Sequence, residues 1–305
     1  MSVSITVIIC TYNRASLLKR TLKSLSIQTV SSHHFEILVV DDGSTDDTEC
    51  VCKSMRKDLP NLKYISTVDN NGLANARNLG INSAKGKHIL FTDDDCIVSD
   101  NWVERLNYYL TREHIVAGSI DSSLSNYLTI SENIGIFHAF MPDRKAGFIE
   151  FIPGANMGFR LSVLKDLKGF NPSMKRSDDM EIFLRARLKG YNAFFAPDSV
   201  VTHASKRKNL PSILKHSFNQ GRSSILLRIK YYKLLHTPSI LTSPILIILT
   251  SPLIALKVTA DIYLKNATAK RYFFTFPVVY LMKSAWCIGA SIGLFTWLSR
   301  KASKI

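Results

Sequence analysis

The sequence predicts an α/β fold, a mostly parallel sheet flanked by helices, continued by an α-helical C-terminal region of different character. Three observations lead there. β-branched runs alternate with helix-spaced segments through the first 120 residues, acids cluster directly after the apolar runs, and beyond residue 205 acids all but vanish. The runs at 5–10, 35–40, 62–68, 88–91 and 115–118 are short and rich in Val, Ile and Leu, as strands buried on both faces are. Between them, 15–27, 46–55, 73–84 and 102–110 space their apolar residues three and four apart, the pattern of helices that bury one face. Strand–helix alternation requires crossover connections, and crossovers make neighbouring strands parallel. Ligands of such sheets sit outside the carboxyl ends of the strands, so chemistry is expected just after each run.

From 120 to 150 the pattern fades, and Ser122, Ser123, Ser125 and Asn126 mark a loop that a substrate could order. Pattern returns at 148–160, in a helix over 180–189, and in strand-like stretches at 193–196 and 200–203. A change of composition near 205 divides the chain into a domain over 1–205, a basic amphipathic interfacial segment over 206–235, and hydrophobic helices over 236–305.

Charge sharpens that division. The net charge is +15, yet residues 1–200 hold 23 basic against 23 acidic side chains, and 201–305 hold 16 against Asp261 alone. A neutral body with a cationic, apolar tail points to an anionic membrane as partner and away from nucleic acid, whose positive stripe normally lies on the folded domain itself. In 206–233 eight Lys or Arg interleave with Ile213, Leu214, Phe218, Ile225, Leu226 and Ile229, which suits a helix lying in the membrane interface; packing on the protein's own surface suits it too. The stretch 240–256 is uncharged but holds Pro244 and Pro252, and 272–298 holds Pro277 and Lys283. The pair forms a two-helix membrane hairpin or lies in-plane or re-entrant. Five cysteines, an odd number without a zinc-type second pair, fit a reduced, cytosolic setting. The N-terminus carries no signal-peptide pattern.

Candidate chemistry begins at Asp41-Asp42-Gly43-Ser44-Thr45-Asp46, a tight turn whose carboxylates can accept hydrogen bonds from a base or a ribose. The same residues also suit a solvated turn ending in a helix cap at Ser44 or Asp46. After 88–91 come Asp93, Asp94 and Asp95, three successive carboxylates that repel one another unless a cation or solvent relieves them. Hard oxygen donors select Mg2+ or Mn2+. Strand alternation turns Asp94 away from the side shared by Asp93 and Asp95, so its loss is expected to matter less.

Taken in order, Thr11-Tyr12-Asn13-Arg14, Val40-Asp41-Asp42-Gly43-Ser44, Gly72-Leu73-Ala74-Asn75-Ala76-Arg77-Asn78 and Asp93-Asp94-Asp95 resemble the motifs of family 2 glycosyltransferases, over roughly residues 4–205. The resemblance implies a Rossmann-like GT-A catalytic domain, a nucleoside-diphosphate-sugar donor, and inverting transfer assisted by a metal at the acid triplet, which is similar to the family's DxD motif. By position it implies donor contacts at Thr11, Tyr12, Arg14, Asp41, Asp42, Arg77 and Asp93, with Thr11 and Asp41 toward the base, and metal ligation by Asp95. The segment Pro153-Gly154-Ala155-Asn156-Met157-Gly158-Phe159-Arg160 is similar to the acceptor-side segment, placing Asn156 and Met157 there; a plain glycine turn between strands fits it as well. Ser177-Asp178-Asp179-Met180-Glu181 resembles the family's Glu-Asp helix start, with Asp178 on the acceptor side in place of Glu and Asp179 as general base. A carboxylate there is also a good helix cap. His203 matches a histidine near the metal or diphosphate; a histidine after a strand also serves structure.

The Gln-x-x-Arg-Trp motif of the family's processive synthases is absent, which implies one sugar per encounter. The expected partners are a nucleotide sugar, a glycan or lipid-linked acceptor in cell-surface glycan or glycolipid synthesis, and an anionic membrane that carries the enzyme with its catalytic domain cytoplasmic. Two rivals are weighed. A nucleotidyltransferase usually shows a Gly-rich basic phosphate loop after its first strand, and 11–16 contains no glycine. A non-catalytic membrane adaptor has no use for a base opposite a metal.

Overall fold

The computed structural model describes residues 3–121, 126–204, 207 and 209–303, and divides into two compact units, Met1–Asp121 with Ala139–Ala204 and Ser122–His138 with Ser205–Ile305. The change of composition near 205 coincides with the second junction, while the short segment around 130 belongs with the C-terminal helices.

The first unit runs β1 (Ile5–Thr11), α1 (Ala15–Leu25), β2 (Phe35–Asp41), α2 (Thr48–Met55), β3 (Leu62–Ser66), α3 (Leu73–Ser83), β4 (His88–Asp93), β5 (Cys96–Val98), α4 (Trp102–Leu110) and β6 (Ile115–Asp121). After α5 (Tyr127–Phe137), which belongs to the second unit, it resumes with β7 (Gly147–Ile149), β8 (Asn156–Arg160), α6 (Leu161–Asp166), α7 (Asp178–Leu188) and β9 (Ala193–His203). One sheet is ordered β3-β2-β1-β4-β8-β6-β9-β5, with β7 also on β9. β3, β2, β1 and β4 are mutually parallel, as the crossover pattern requires. β8 enters antiparallel to both β4 and β6, and β5 and β7 lie antiparallel to β9, so the second half of the sheet is mixed. β1 and β2 are buried along almost their whole length, which is why their sequences are mostly apolar rather than alternating.

Two features position the site. Strand order reverses at β1, with β2 and β3 to one side and β4 to the other, and such a switch point opens a crevice at the carboxyl ends. The register pairs Thr11 with Asp41 and Cys10 with Asp93, bringing the ends of β1, β2 and β4 level.

The structure adds to the sequence pattern at three places. The stretches 193–196 and 200–203 form one strand, β9, whose register on β6 shifts between Gly118 and Ser119 and so absorbs residues 197–199. The stretch 120–150, where the pattern fades, contains α5, capped where Asn126 Oδ1 accepts from Thr129 N at 3.1 Å; of the expected loop residues, Ser122, Ser123 and Ser125 lie outside the described residues. Ile, Thr and Gly give α5 poor intrinsic helicity, and burial of Ile130 and Ile134 compensates. The segment over 206–235, expected at the membrane interface or packed on the protein's own surface, holds a long helix of the second unit.

That helix, α8 (Leu210–Lys230), is followed in the second unit by α9 (Pro244–Lys265), α10 (Ala267–Arg271) and α11 (Phe276–Ala302). α8 buries Ser217, Gly221 and Ser224, and a Cβ at Gly221 would collide with the carbonyl of Trp286 on α11. A Cβ at Gly289 would collide with the carbonyl of Phe218. This small-residue seam lets the two backbones touch, the packing style of helices in lipid. Two stretches, Pro244–Lys265 and Phe273–Ala302, are long and apolar enough to cross a membrane by length and composition.

Candidate active site

The loops after β1 and β2 are stitched together. Asn13, in the left-handed region at φ 52°, donates its N–H to Ser44 Oγ at 2.8 Å, and its Oδ1 accepts from Thr45 N at 2.8 Å. Asp41 is buried, with Oδ1 accepting from Ser44 N at 2.9 Å and Oδ2 from Tyr64 Oη at 2.6 Å. Asp42 accepts from the backbone N–H groups of Asn71 and Gly72 at 2.9 and 2.8 Å, and so anchors the loop that leads into α3. Both acids therefore shape the crevice through internal bonds. Tyr12 stands at its edge, 44% exposed.

At the end of β4 the three acids have three different environments. Asp94 is buried: Thr11 Oγ1 and Arg14 Nη1 each donate to its carboxylate at 2.7 Å. Burial pushes Asp94 up to about 6, opposed by the Arg14 charge and reinforced by Asp95. Asp93 is partly exposed and lies 3.5 Å from Arg77 Nη2. Asp95 is 3.4 Å from Arg14 Nη1, and its Oδ1 is 3.6 Å from His203 Nε2. The pairing of Cys96 with His203 between β5 and β9 puts this imidazole beside the acids.

These donors suit a divalent cation. Asp95 and His203 face each other at a distance too long for a hydrogen bond between those atoms, and Asp93 is accessible from solvent. Among the described residues no group of three or more His, Cys, Asp or Glu side chains is drawn together into a cage. A Mg2+- or Mn2+-type site needs none, because such ions take one or two protein carboxylates and fill their remaining positions with diphosphate oxygens and water.

Opposite the triplet lies the start of α7. Ser177 adopts a left-handed φ of 58°, a conformation uncommon for Ser that turns the chain so that Asp178 and Asp179 begin the helix. Asp179 Oδ2 accepts from Gly154 N at 3.0 Å and Oδ1 from Met180 N at 2.8 Å. Burial pushes Asp179 up to about 6, the adjacent Asp178 charge adds to this, and Arg77 and the two N–H groups oppose it. Arg77 links the two sides: Nη1 donates to Asp178 Oδ2 at 2.6 Å and Nη2 to Gly154 O at 3.2 Å. Its guanidinium lies over the Phe170 ring, 5.2 Å from the centroid.

Thr11, Arg14, Arg77, Asp93, Asp95, Asp178, Asp179 and His203 thus converge on one crevice, with Asp41 and Asp42 bracing its wall. Asn156 and Met157 do not line it. Asn156 is fully buried, with Oδ1 accepting from Trp102 Nε1 at 2.9 Å and Nδ2 donating to the carbonyls of Ser119 and Ser199 at 2.8 Å; Met157 is core. Of the segment expected on the acceptor side, the Gly154 backbone reaches the crevice, while Asn156 and Met157 serve packing. Sequence reasoning also passed over Asn78, whose amide clasps the Phe170 backbone through bonds of 2.8 Å in both directions and so holds the ring under Arg77. Its position directly after Arg77 was the available signal.

Residues 6–168 match Glycosyl transferase family 2, and 88–298 match Glycosyl transferase family group 2. Glycosyltransferase AglE of Haloferax volcanii is 27% identical over 223 residues, covering 72% of this chain and 73% of AglE. Glycosyltransferase GlyA of Streptococcus pneumoniae is 35% identical over 134 residues, covering 44% of this chain but only 18% of GlyA. Among solved structures, mannosyltransferase PcManGT from Pyrobaculum calidifontis, in complex with GDP-Man and Mn2+, matches with a TM-score of 0.65 at 19% identity, over 97% of this chain and 88% of that one. At that identity the likeness is one of fold.

Proposed function

The chain belongs to glycosyl transferase family 2, and we propose that it moves a single sugar from a nucleoside-diphosphate-sugar to an acceptor hydroxyl, inverting the anomeric carbon. One observation carries this reading. Arg77 spans the crevice, 3.5 Å from Asp93 at the donor-side strand end and 2.6 Å from Asp178, the neighbour of a carboxylate in position to act as base.

In this reading Asp179 is the general base. Its pKa of about 6 leaves it ionised at neutral pH and close to the working pH, where base catalysis is most effective. The acceptor oxygen bonds to the anomeric carbon as the bond from that carbon to the diphosphate oxygen breaks; the proton passes to Asp179 and the leaving electron pair to the diphosphate. Asp95, with His203 facing it, would hold Mg2+ or Mn2+, which when bound supplies charge stabilisation for the leaving diphosphate. Arg14 carries positive charge to the same strand end, and Thr11 and Tyr12 border the nucleotide side. Support for a nucleotide-sugar donor and for manganese comes from the PcManGT complex with GDP-Man and Mn2+.

The acceptor in this proposal is a glycan or a lipid-linked saccharide at a membrane. Two apolar stretches in the second unit favour membrane attachment, and five free cysteines favour a cytoplasmic catalytic unit. The deciding experiment incubates the full-length protein with a panel of nucleotide sugars and Mn2+, reading thermal shift and nucleoside diphosphate release. At least one donor stabilises the protein and releases its diphosphate; release of pyrophosphate instead, or no response to any donor, overturns the proposal.

A further inference from the structure

We propose that Arg228 on α8 and Lys283 on α11 form a binding site for the phosphate headgroup of an anionic membrane lipid. The site lies wholly within the second unit. It deepens the membrane reading above and is independent of the identity of the sugar donor.

The first argument is charge balance. The second unit contains 16 Lys or Arg and two acids, Glu132 and Asp261. Both acids are committed elsewhere: Asp261 pairs with Lys257 and Lys265 at 3.3 and 3.0 Å, and Glu132 pairs with Arg207. No acid among the described residues of the unit pairs with Arg228 or Lys283.

The second argument is placement. Lys283 lies inside the apolar stretch Phe273–Ala302, where a charged side chain is costly and normally marks a functional partner. Its ammonium donates to the carbonyl of Gly135 at 2.6 Å, near the C-terminus of α5, which stabilises the charge but uses one of three N–H groups. One turn later on α11, Trp286 covers the guanidinium of Arg228, whose Cζ lies 5.7 Å from the ring centroid. Arg228 Nε is buried and has no hydrogen-bond partner. Contact of Gly221 with the Trp286 carbonyl and the cover of Arg228 by the Trp286 ring bring Arg228 to the stretch of α11 that carries Lys283.

Two like charges in apolar surroundings, one with a buried unsatisfied donor, need an anion from outside the unit. A phosphate matches this pair: the guanidinium fork takes two of its oxygens and the ammonium supplies a point charge. The apolar helices around the pair favour a lipid over free phosphate as the source.

The test uses the full-length protein in neutral detergent, titrated with phosphatidic acid, phosphatidylcholine or inorganic phosphate and read by thermal shift and native mass spectrometry. Phosphatidic acid is expected to bind at least tenfold more tightly than phosphatidylcholine. Arg228→Gln and Lys283→Met should each lose most of that preference, and Arg228→Lys should keep part of it. Equal affinity for the two lipids, or an unchanged preference in both Arg228→Gln and Lys283→Met, overturns the site. Inorganic phosphate that reproduces the shift at the same concentration overturns the lipid assignment. Should Arg228→Gln fail to fold, Arg228→Lys and Lys283→Met decide. Lipid discrimination without nucleoside diphosphate release would sink the proposed transferase reaction and leave this site standing; the reverse result would sink the site alone.

Discussion

Arg77 and Asp178, 101 positions apart in sequence, meet at 2.6 Å with both side chains almost fully enclosed. A buried ion pair contributes little net stability, since desolvation offsets most of its attraction, so its value here lies in position. The same guanidinium donates to Gly154 O, and the N–H of Gly154 holds Asp179 Oδ2 at 3.0 Å. Arg77 therefore acts on the proposed base through Asp178 and Gly154. In the proposed mechanism it serves as a positioning residue for Asp179.

Asp179→Asn keeps size but cannot take a proton, and its one amide oxygen can accept from only one of the two N–H groups, Gly154 and Met180, that the carboxylate holds. Transfer should fall by roughly 10²–10⁴-fold while nucleotide-sugar affinity is retained. In the wild type the rate should climb with pH through about 6, as the carboxyl ionises, and level off above. Steady-state kinetics from pH 5 to 8 with calorimetric donor titration check both points. A variant that still transfers at near-normal rate would move the base elsewhere.

Changing the neighbours of Asp179 should move that acid limb in opposite directions. Arg77 opposes protonation of Asp179 and Asp178 favours it. Arg77→Gln should therefore shift the limb to higher pH, and Asp178→Asn should shift it to lower pH. Each variant also breaks the buried pair, at a cost of about 3–5 kcal/mol when a charge is left behind, so melting temperatures are measured alongside. Shifts of the same sign would show that the pair influences the rate through folding alone.

The acid triplet should divide by role. Asp95→Ala should remove the Mn2+-dependent stabilisation by a nucleotide sugar, His203→Ala should weaken it, and chelation should stop turnover reversibly. Asp94→Ala should behave differently and not mildly. Each of the bonds from Thr11 and Arg14 to this buried carboxylate is of a type worth about 1.5–3 kcal/mol. The melting temperature should therefore drop even without donor or metal. Thermal denaturation with and without Mn2+ separates the cases, and an Asp94→Ala protein that melts like wild type would refute the assignment.

In the second unit, Gly221→Ala and Gly289→Ala each drive a methyl into a backbone carbonyl of the facing helix, which cannot yield as a side chain would. A loss of about 1–3 kcal/mol is expected for each. Ile288→Ala, at a position 42% exposed on the same helix, serves as control and should cost little. Thermal scans in detergent decide; equal melting of all three variants would mean that α8 and α11 are not in backbone contact.

Sequence alone determined the parallel half of the sheet and the acids at its edge. β1, β2 and β4 carry mostly apolar runs of strand length, and Asp41, Asp93 and Asp95 stand at or just after their ends where a parallel sheet opens, so periodicity and punctuation over a few residues suffice. Tertiary structure decided the rest. Asn156 reads as a polar residue in a glycine turn until the fold sets it between Trp102 and the carbonyls of Ser119 and Ser199. Asp94 reads as a spare acid until Thr11, 83 positions earlier, donates to it. α5 leaves only a faint pattern in the sequence because its helicity comes from burial, not propensity. The physical reason is one of range: backbone propensity and side-chain alternation act over a turn or two of chain, whereas desolvation and charge pairing depend on neighbours that only the folded sheet and its helices bring within 3 Å.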